Sequence, residues 1–84
     1  MFAVRRKNQV ETKQIKLSSP EEVLDFVTTA EQCDFDIDIF HNRIIMDAKS
    51  FLGIMSLDIS KKLFVSYSGR NSSFDHIIKK YAAR

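Results

Sequence analysis

Between Lys49 and Asp58 runs Ser-Phe-Leu-Gly-Ile-Met-Ser-Leu, a segment that is largely apolar yet short, with a glycine in its middle. It cannot make a long amphipathic helix and reads as a short one. Ser50 stands where an N-cap would, and Ile54 and Leu57 recur at helical spacing on one side. Phe51, Leu52 and Met55 form a second apolar set, more than so short a helix can bury. Large apolar groups gathered at a surface mark a place that a partner covers. This stretch is therefore a candidate docking patch.

The segments around it alternate between strand and helix patterns. Thr12 to Leu17 alternates weakly, with Ile15 and Leu17 on one side, and predicts a first strand. Ser19-Pro20-Glu21-Glu22 is a helix start: a serine N-cap, proline at the first helical position, and a glutamate three residues after the cap to complete a capping box. Val23, Leu24, Val27 and Ala30 follow as an inward stripe of about three turns, with Phe26 beside them. Phe35, Ile37 and Ile39 alternate with Asp34, Asp36 and Asp38, predicting a strand with one buried and one solvated face. His41-Asn42-Arg43 reads as a tight turn, and Ile44 to Ala48 as the returning strand of a hairpin.

After a polar connection from Asp58 to Lys62, Leu63, Val65 and Tyr67 alternate with Phe64, Ser66 and Ser68. That is a final strand, closed by a turn at Ser68-Gly69-Arg70-Asn71. Ser72 or Ser73 caps a last helix with Phe74, Ile77, Ile78 and Tyr81 as its inward stripe and an Asp75–Lys79 pair outside. The order β-α-β-β-α-β-α predicts an α+β open-faced sandwich, an antiparallel sheet with three helices on one face. Phe64 falls on the open face, where it would favour self-association.

The nine residues Lys49 to Leu57 resemble the central segment of HPr, the phosphocarrier of the bacterial sugar phosphotransferase system. There a Lys-Ser pair opens a short apolar helix ending Gly-x-Met-Ser-Leu, and the order and spacing of the other elements agree from about Thr12 onward. The resemblance implies the same open-faced β-sandwich fold for residues 10–84. It also implies a phosphoryl-bearing histidine at the N-terminus of the first helix, followed two residues later by an arginine. Counting back from Lys49-Ser50 puts Ser19 at the histidine position and Glu21 at the arginine position. Free N–H groups and the positive helix end favour a phosphate there. A serine, however, cannot form the labile phosphoramidate. Glu21 and Glu22 place two full charges against the half charge of the dipole.

Ser50 is the other hydroxyl that the resemblance singles out. In Gram-positive HPr proteins the serine at this place is phosphorylated by a dedicated kinase. A histidine-lacking relative, the catabolite-repression HPr-like protein, keeps that serine and acts in regulation. Phosphate on Ser50 would add nearly two negative charges beside Phe51, Leu52 and Met55. The plain reading is that Ser50 only caps its helix.

Other chemistry is thin. His41 reads as a solvated loop histidine and His76 as an ordinary residue in the first turn of the last helix; neither has a ligand or triad partner at the right spacing. Cys33 lies near the end of the first helix, where the dipole disfavours a thiolate. Asp34, Asp36 and Asp38 are spaced as wet positions of a strand and not as a metal site. No metal, cofactor or enzymatic centre is expected.

Composition places the chain. At 84 residues it reads as one small domain, 44% hydrophobic and 29% charged. A lone cysteine and the lack of a signal-like or membrane-length apolar run predict a cytoplasmic protein without membrane insertion. Of its thirteen basic residues, five stand with one acid in the first sixteen positions; the remainder holds eight against ten and is mildly acidic. Met1 to Gln9 reads as a disordered basic extension. The acidic body predicts no nucleic-acid partner.

The expected function is a non-carrier, regulatory or protein-binding HPr-like variant. Lys49, Phe51, Leu52 and Met55 would meet a phosphotransferase-system protein, a regulator or the serine kinase, with Ser50 as the phosphorylation site. One alternative is a working phosphocarrier in sugar transport with an unrecognised acceptor. A second is a single-strand RNA-binding module, which needs exposed aromatics flanked by basic residues on the middle strands, where Asp34, Asp36 and Asp38 stand instead.

Overall fold

Ser19, Pro20 and Glu22 start the first helix where the sequence places it, and the rest of the architecture follows from how that helix seats. The computed structural model describes residues 10–82; the extension Met1 to Gln9 lies outside them. In chain order the elements are β1 (Glu11–Ile15), α1 (Pro20–Glu31), β2 (Ile37–His41), β3 (Ile44–Asp47), α2 (Phe51–Met55), β4 (Leu63–Tyr67) and α3 (Ser72–Lys80). The strands form one antiparallel sheet in the order β1-β4-β2-β3. Three helices join it in an α+β arrangement, as the element order predicts.

One side of the sheet is the floor of the core. Ile15, Ile37, Ile39, Leu63 and Val65 are fully or almost fully buried there, under Val23, Phe26 and Ala30 of α1, Ile54 of α2 and Phe74 of α3. Each of these side chains except the small Ala30 contributes about 1.5–3 kcal/mol relative to exposure. Phe74 is the hub of an aromatic cluster, 5.8 Å from Phe26, 5.0 Å from Tyr67 and 6.2 Å from Phe35.

The other side carries cross-strand rows fixed by register. Thr12, Ser66, Asp38 and Asp47 are neighbours in one row, and Gln14, Phe64, Phe40 and Ile45 in the next. The Phe40 and Phe64 rings stack at 5.6 Å with planes 19° apart. Phe64 is thus on the open face as expected, but it is not alone.

Several local expectations are corrected. Leu24 is 55% exposed, because α1 fills the core with Val23, Phe26, Val27 and Ala30 and has no room for it. β2 begins only at Ile37, so Asp34 and Asp36 lie off the sheet while Phe35 enters the aromatic cluster. β1 ends at Ile15, and the next N–H, that of Lys16, goes to the carbonyl of Tyr81 at 2.8 Å. β3 runs only to Asp47, yet the Ala48 N–H still donates to the β2 carbonyl of Ile37 at 2.9 Å, so the hairpin pairing reaches Ala48 as expected. The hairpin turns through Asn42 and Arg43, with Asn42 at φ 56°, a conformation its short polar side chain tolerates.

The cap of α3 is Asn71, not Ser72 or Ser73; its Oδ1 accepts the Phe74 N–H at 2.9 Å. The expected Asp75–Lys79 pair gives way to Arg70, whose guanidinium lies 3.4 Å from Asp75 and 3.6 Å from Glu11.

Candidate functional site

Ser19 has extended backbone geometry, φ −156° and ψ 162°, and its Oγ accepts the N–H of Glu22 at 3.2 Å. That is ordinary N-capping. The return contact of the capping box is shifted by one residue: Glu22 Oε1 accepts the backbone N–H of Ser18, not of Ser19, at 2.7 Å. Pro20 has no N–H to offer at the first helical position. The start of α1 is thus filled from within. A carboxylate sits where an external anion would be drawn, and Glu21 adds a second negative charge in the same turn.

Beside this helix start lies an open cleft of about 480 Å³ lined by Lys16, Ser18, Glu22, Lys80, Tyr81 and Ala82. Both of its ammonium groups are engaged. Lys16 Nζ donates to the Ser60 carbonyl at 2.6 Å, and Lys80 Nζ to Asp25 Oδ2 at 3.2 Å. The Tyr81 hydroxyl donates to the same Asp25 oxygen at 2.7 Å. That hydroxyl, with Lys80 behind it, holds the Asp25 carboxyl below the usual carboxylate range. Burial, and then the hydrogen bond to Asp25, pushes the Tyr81 hydroxyl up.

At α2, Ser50 caps as the sequence predicts: φ −112°, ψ 107°, with Oγ accepting the Gly53 N–H at 3.0 Å. Gly53 lets Ser50 approach closely: a Cβ there would stand 3.0 Å from Ser50 Oγ and 3.4 Å from the Met46 sulfur. Lys49 Nζ reaches across to the Cys33 carbonyl just past the end of α1, at 3.0 Å, and ties the two helices together. Phe51 and Met55 pack half-buried against the core. Leu52 is 79% exposed.

Leu24 on α1 is a second exposed leucine, and sequence reasoning missed its exposure. α1 packs against both α2 and α3. Asp25 marks the α3 flank through its bonds to Lys80 and Tyr81, and Leu24, about 100° round the helix from Asp25, lies on the flank away from it. No sequence signal separates it, because Leu24 and Phe26 both fit the α1 stripe and only packing leaves the leucine outside.

No protein-family model and no curated protein matches the sequence. Solved structures do. The crystal structure of a phosphocarrier protein HPr from Bacillus anthracis strain Ames is 23% identical, with a TM-score of 0.70 over 88% of this chain and 99% of that one. HPr-C-His from Thermoanaerobacter tengcongensis is 26% identical, with a TM-score of 0.64 over 86% of this chain and 92% of that one. The fold is that of HPr.

Within this HPr fold the remaining candidates are scattered. His41 ends β2, its Nε2 3.3 Å from the Asn42 amide nitrogen, and His76 is exposed on α3. Cys33 is buried with its sulfur 3.7 Å from the Thr29 carbonyl, and burial more than any other influence pushes its thiol up. Among the described residues no group of acids, histidines and cysteines could hold a metal ion, and no helix is long and apolar enough to cross a membrane.

Proposed function

We propose that this chain is a cytoplasmic, non-enzymatic HPr-like protein of the phosphoenolpyruvate-dependent sugar phosphotransferase system that binds proteins and does not carry phosphate. The observation that supports this most is the Glu22 carboxylate on the Ser18 N–H: the helix start on which a phosphoryl group would be stabilised is already neutralised by the chain itself. Ser19 is committed to capping, and Glu21 stands where the resemblance expects a cation.

What remains is contact. Leu52 and Leu24 are the exposed anchors, Phe51 and Met55 support them from the core side, and Lys49 and Ser50 form the rim. The partner is a phosphotransferase-system protein or a regulator with a matching apolar surface. Ser50 is the regulatory position: phosphorylation by an HPr-type kinase adds charge at the edge of this patch without disturbing the core. In an amide chemical-shift titration with the general enzyme I and, separately, a sugar-specific component, binding moves Leu24, Leu52 and Met55. Leu52→Asp abolishes the shifts. Binding that leaves these three unmoved contradicts the reading.

A further inference from the structure

The side of the sheet that carries no helix has a graded chemistry. Its aromatic row holds the stacked pair Phe40 and Phe64, on the two middle strands, with Ile45 next to Phe40 and 64% exposed. Neither phenylalanine belongs to the core cluster or packs against it, so their burial comes largely from each other and from their row. Just outside the strands at one end of this row stand Lys62, two residues before Phe64, and Arg43, two before Ile45, both exposed, while Lys16 after β1 is tied to the Ser60 carbonyl. Two residues the other way lies the row with Asp38 and Asp47, facing each other across β2 and β3.

A near-parallel ring pair on the central strands, with Lys62 and Arg43 at one end of the face and carboxylates at the other, has a direction. A planar ligand extends the ring stack, and a chain of negative charge runs only on the cationic side. We propose that this face binds a single strand of nucleic acid across the β-strands, with bases on Phe40 and Phe64 and phosphates on Lys62 and Arg43. Of the three acids that stood against basic middle strands, Asp34 and Asp36 lie off the sheet, since β2 begins only at Ile37. The carboxylates that remain on the face occupy the row farthest from the cations and fix the side on which the phosphates lie. The face takes about three nucleotides at the strand spacing of ~4.8 Å. It owes nothing to the α1 and α2 surface, which leaves either proposal standing if the other falls.

The test is fluorescence anisotropy of the full chain with labelled eight-nucleotide single-stranded RNA, DNA of the same sequence, and the corresponding DNA duplex. Both single strands bind and the duplex does not. Phe40→Leu and Phe64→Leu, which keep apolar bulk and lose the ring face, each weaken binding about ten-fold. Arg43→Gln with Lys62→Gln, both on exposed positions, lowers the salt slope by about 1.4. The proposal is overturned by absence of binding at low salt, by equal binding of the duplex, or by affinity indifferent to the leucine variants. It is equally overturned if only replacing Arg5, Arg6 and Lys7 by Gln removes binding. Sedimentation of the free chain as a dimer that Phe64→Leu disperses would give the face to a second copy instead.

Discussion

Glu22 accepts the backbone N–H of Ser18 at 2.7 Å while its own N–H is held by Ser19 Oγ at 3.2 Å. The two bonds close the first turn of α1 from both directions, so a side chain that repels phosphate also holds the helix in place. Ser19→Ala is expected to lower stability by about 1 kcal/mol in urea unfolding. Glu22→Gln, which keeps an acceptor for Ser18, should lose less than Glu22→Ala; equal losses would show that the Ser18 contact contributes nothing.

Asn71, not the serines after it, caps α3. Asn71→Ala therefore costs about 1 kcal/mol, whereas Ser72→Ala and Ser73→Ala, both on exposed positions, stay within about 0.5 kcal/mol of the parent. Chemical denaturation of the three variants ranks them, and a serine variant that loses as much as Asn71→Ala would move the cap.

Gly69 lies against the ring of Phe35, which is stacked on Tyr67 at 6.2 Å and edges Phe74 at 6.2 Å. A methyl group at Gly69 would overlap that ring, and the ring is wedged in a cluster and cannot simply swing away. Gly69→Ala is expected to destabilise by about 1–3 kcal/mol. Gly53→Ala meets Ser50 Oγ at 3.0 Å, Ser50 Cβ at 3.3 Å and the flexible Met46 sulfur at 3.4 Å, none of them an overlap as deep as that at Gly69, and should lose less. A reversal of that order in thermal melts would contradict the packing described.

Asp25 and Tyr81 give the stability a dependence on pH at both ends. The Asp25 carboxyl is lowered in the fold by Tyr81 and Lys80, so its contribution is present above the ordinary unfolded carboxylate pKa and is lost as pH falls through the folded value. Tyr81 is raised, so its contribution is present below the ordinary tyrosine pKa of about 10 and is lost as pH rises through the raised value. Unfolding midpoints of the parent and Asp25→Asn should converge on acidification below about pH 4, and those of the parent and Tyr81→Phe above about pH 10. A difference that stays constant across either range would refute the linkage.

The elements legible in the sequence are those set by local chemistry: the Ser19-Pro20 start, the Leu63, Val65 and Tyr67 alternation, and Ser50 before its short helix. What was not legible depended on competition between neighbours that only packing settles. Leu24 and Phe26 both fit the α1 stripe, and the sheet accepts the phenylalanine. Asp34 to Asp36 alternates like a strand because a bend that sends Phe35 into an aromatic cluster between two exposed acids has the same pattern. Arg70 outcompetes Lys79 for Asp75 from outside the helix. At the candidate site, the capping glutamate was readable from spacing, but its shift to Ser18 and the exposure of Leu24 were not. The Phe40–Phe64 stack needed the strand register, which no single segment encodes.

The central claim is that the α1 start, closed by its own glutamate, cannot hold a transferable phosphoryl group. Radiolabelled phosphoenolpyruvate, the general enzyme I and this chain, with an authentic HPr as positive control, test it directly. The account predicts label on the control and none on this chain. Acid-labile label on this chain that passes onward to a sugar-specific component would contradict it.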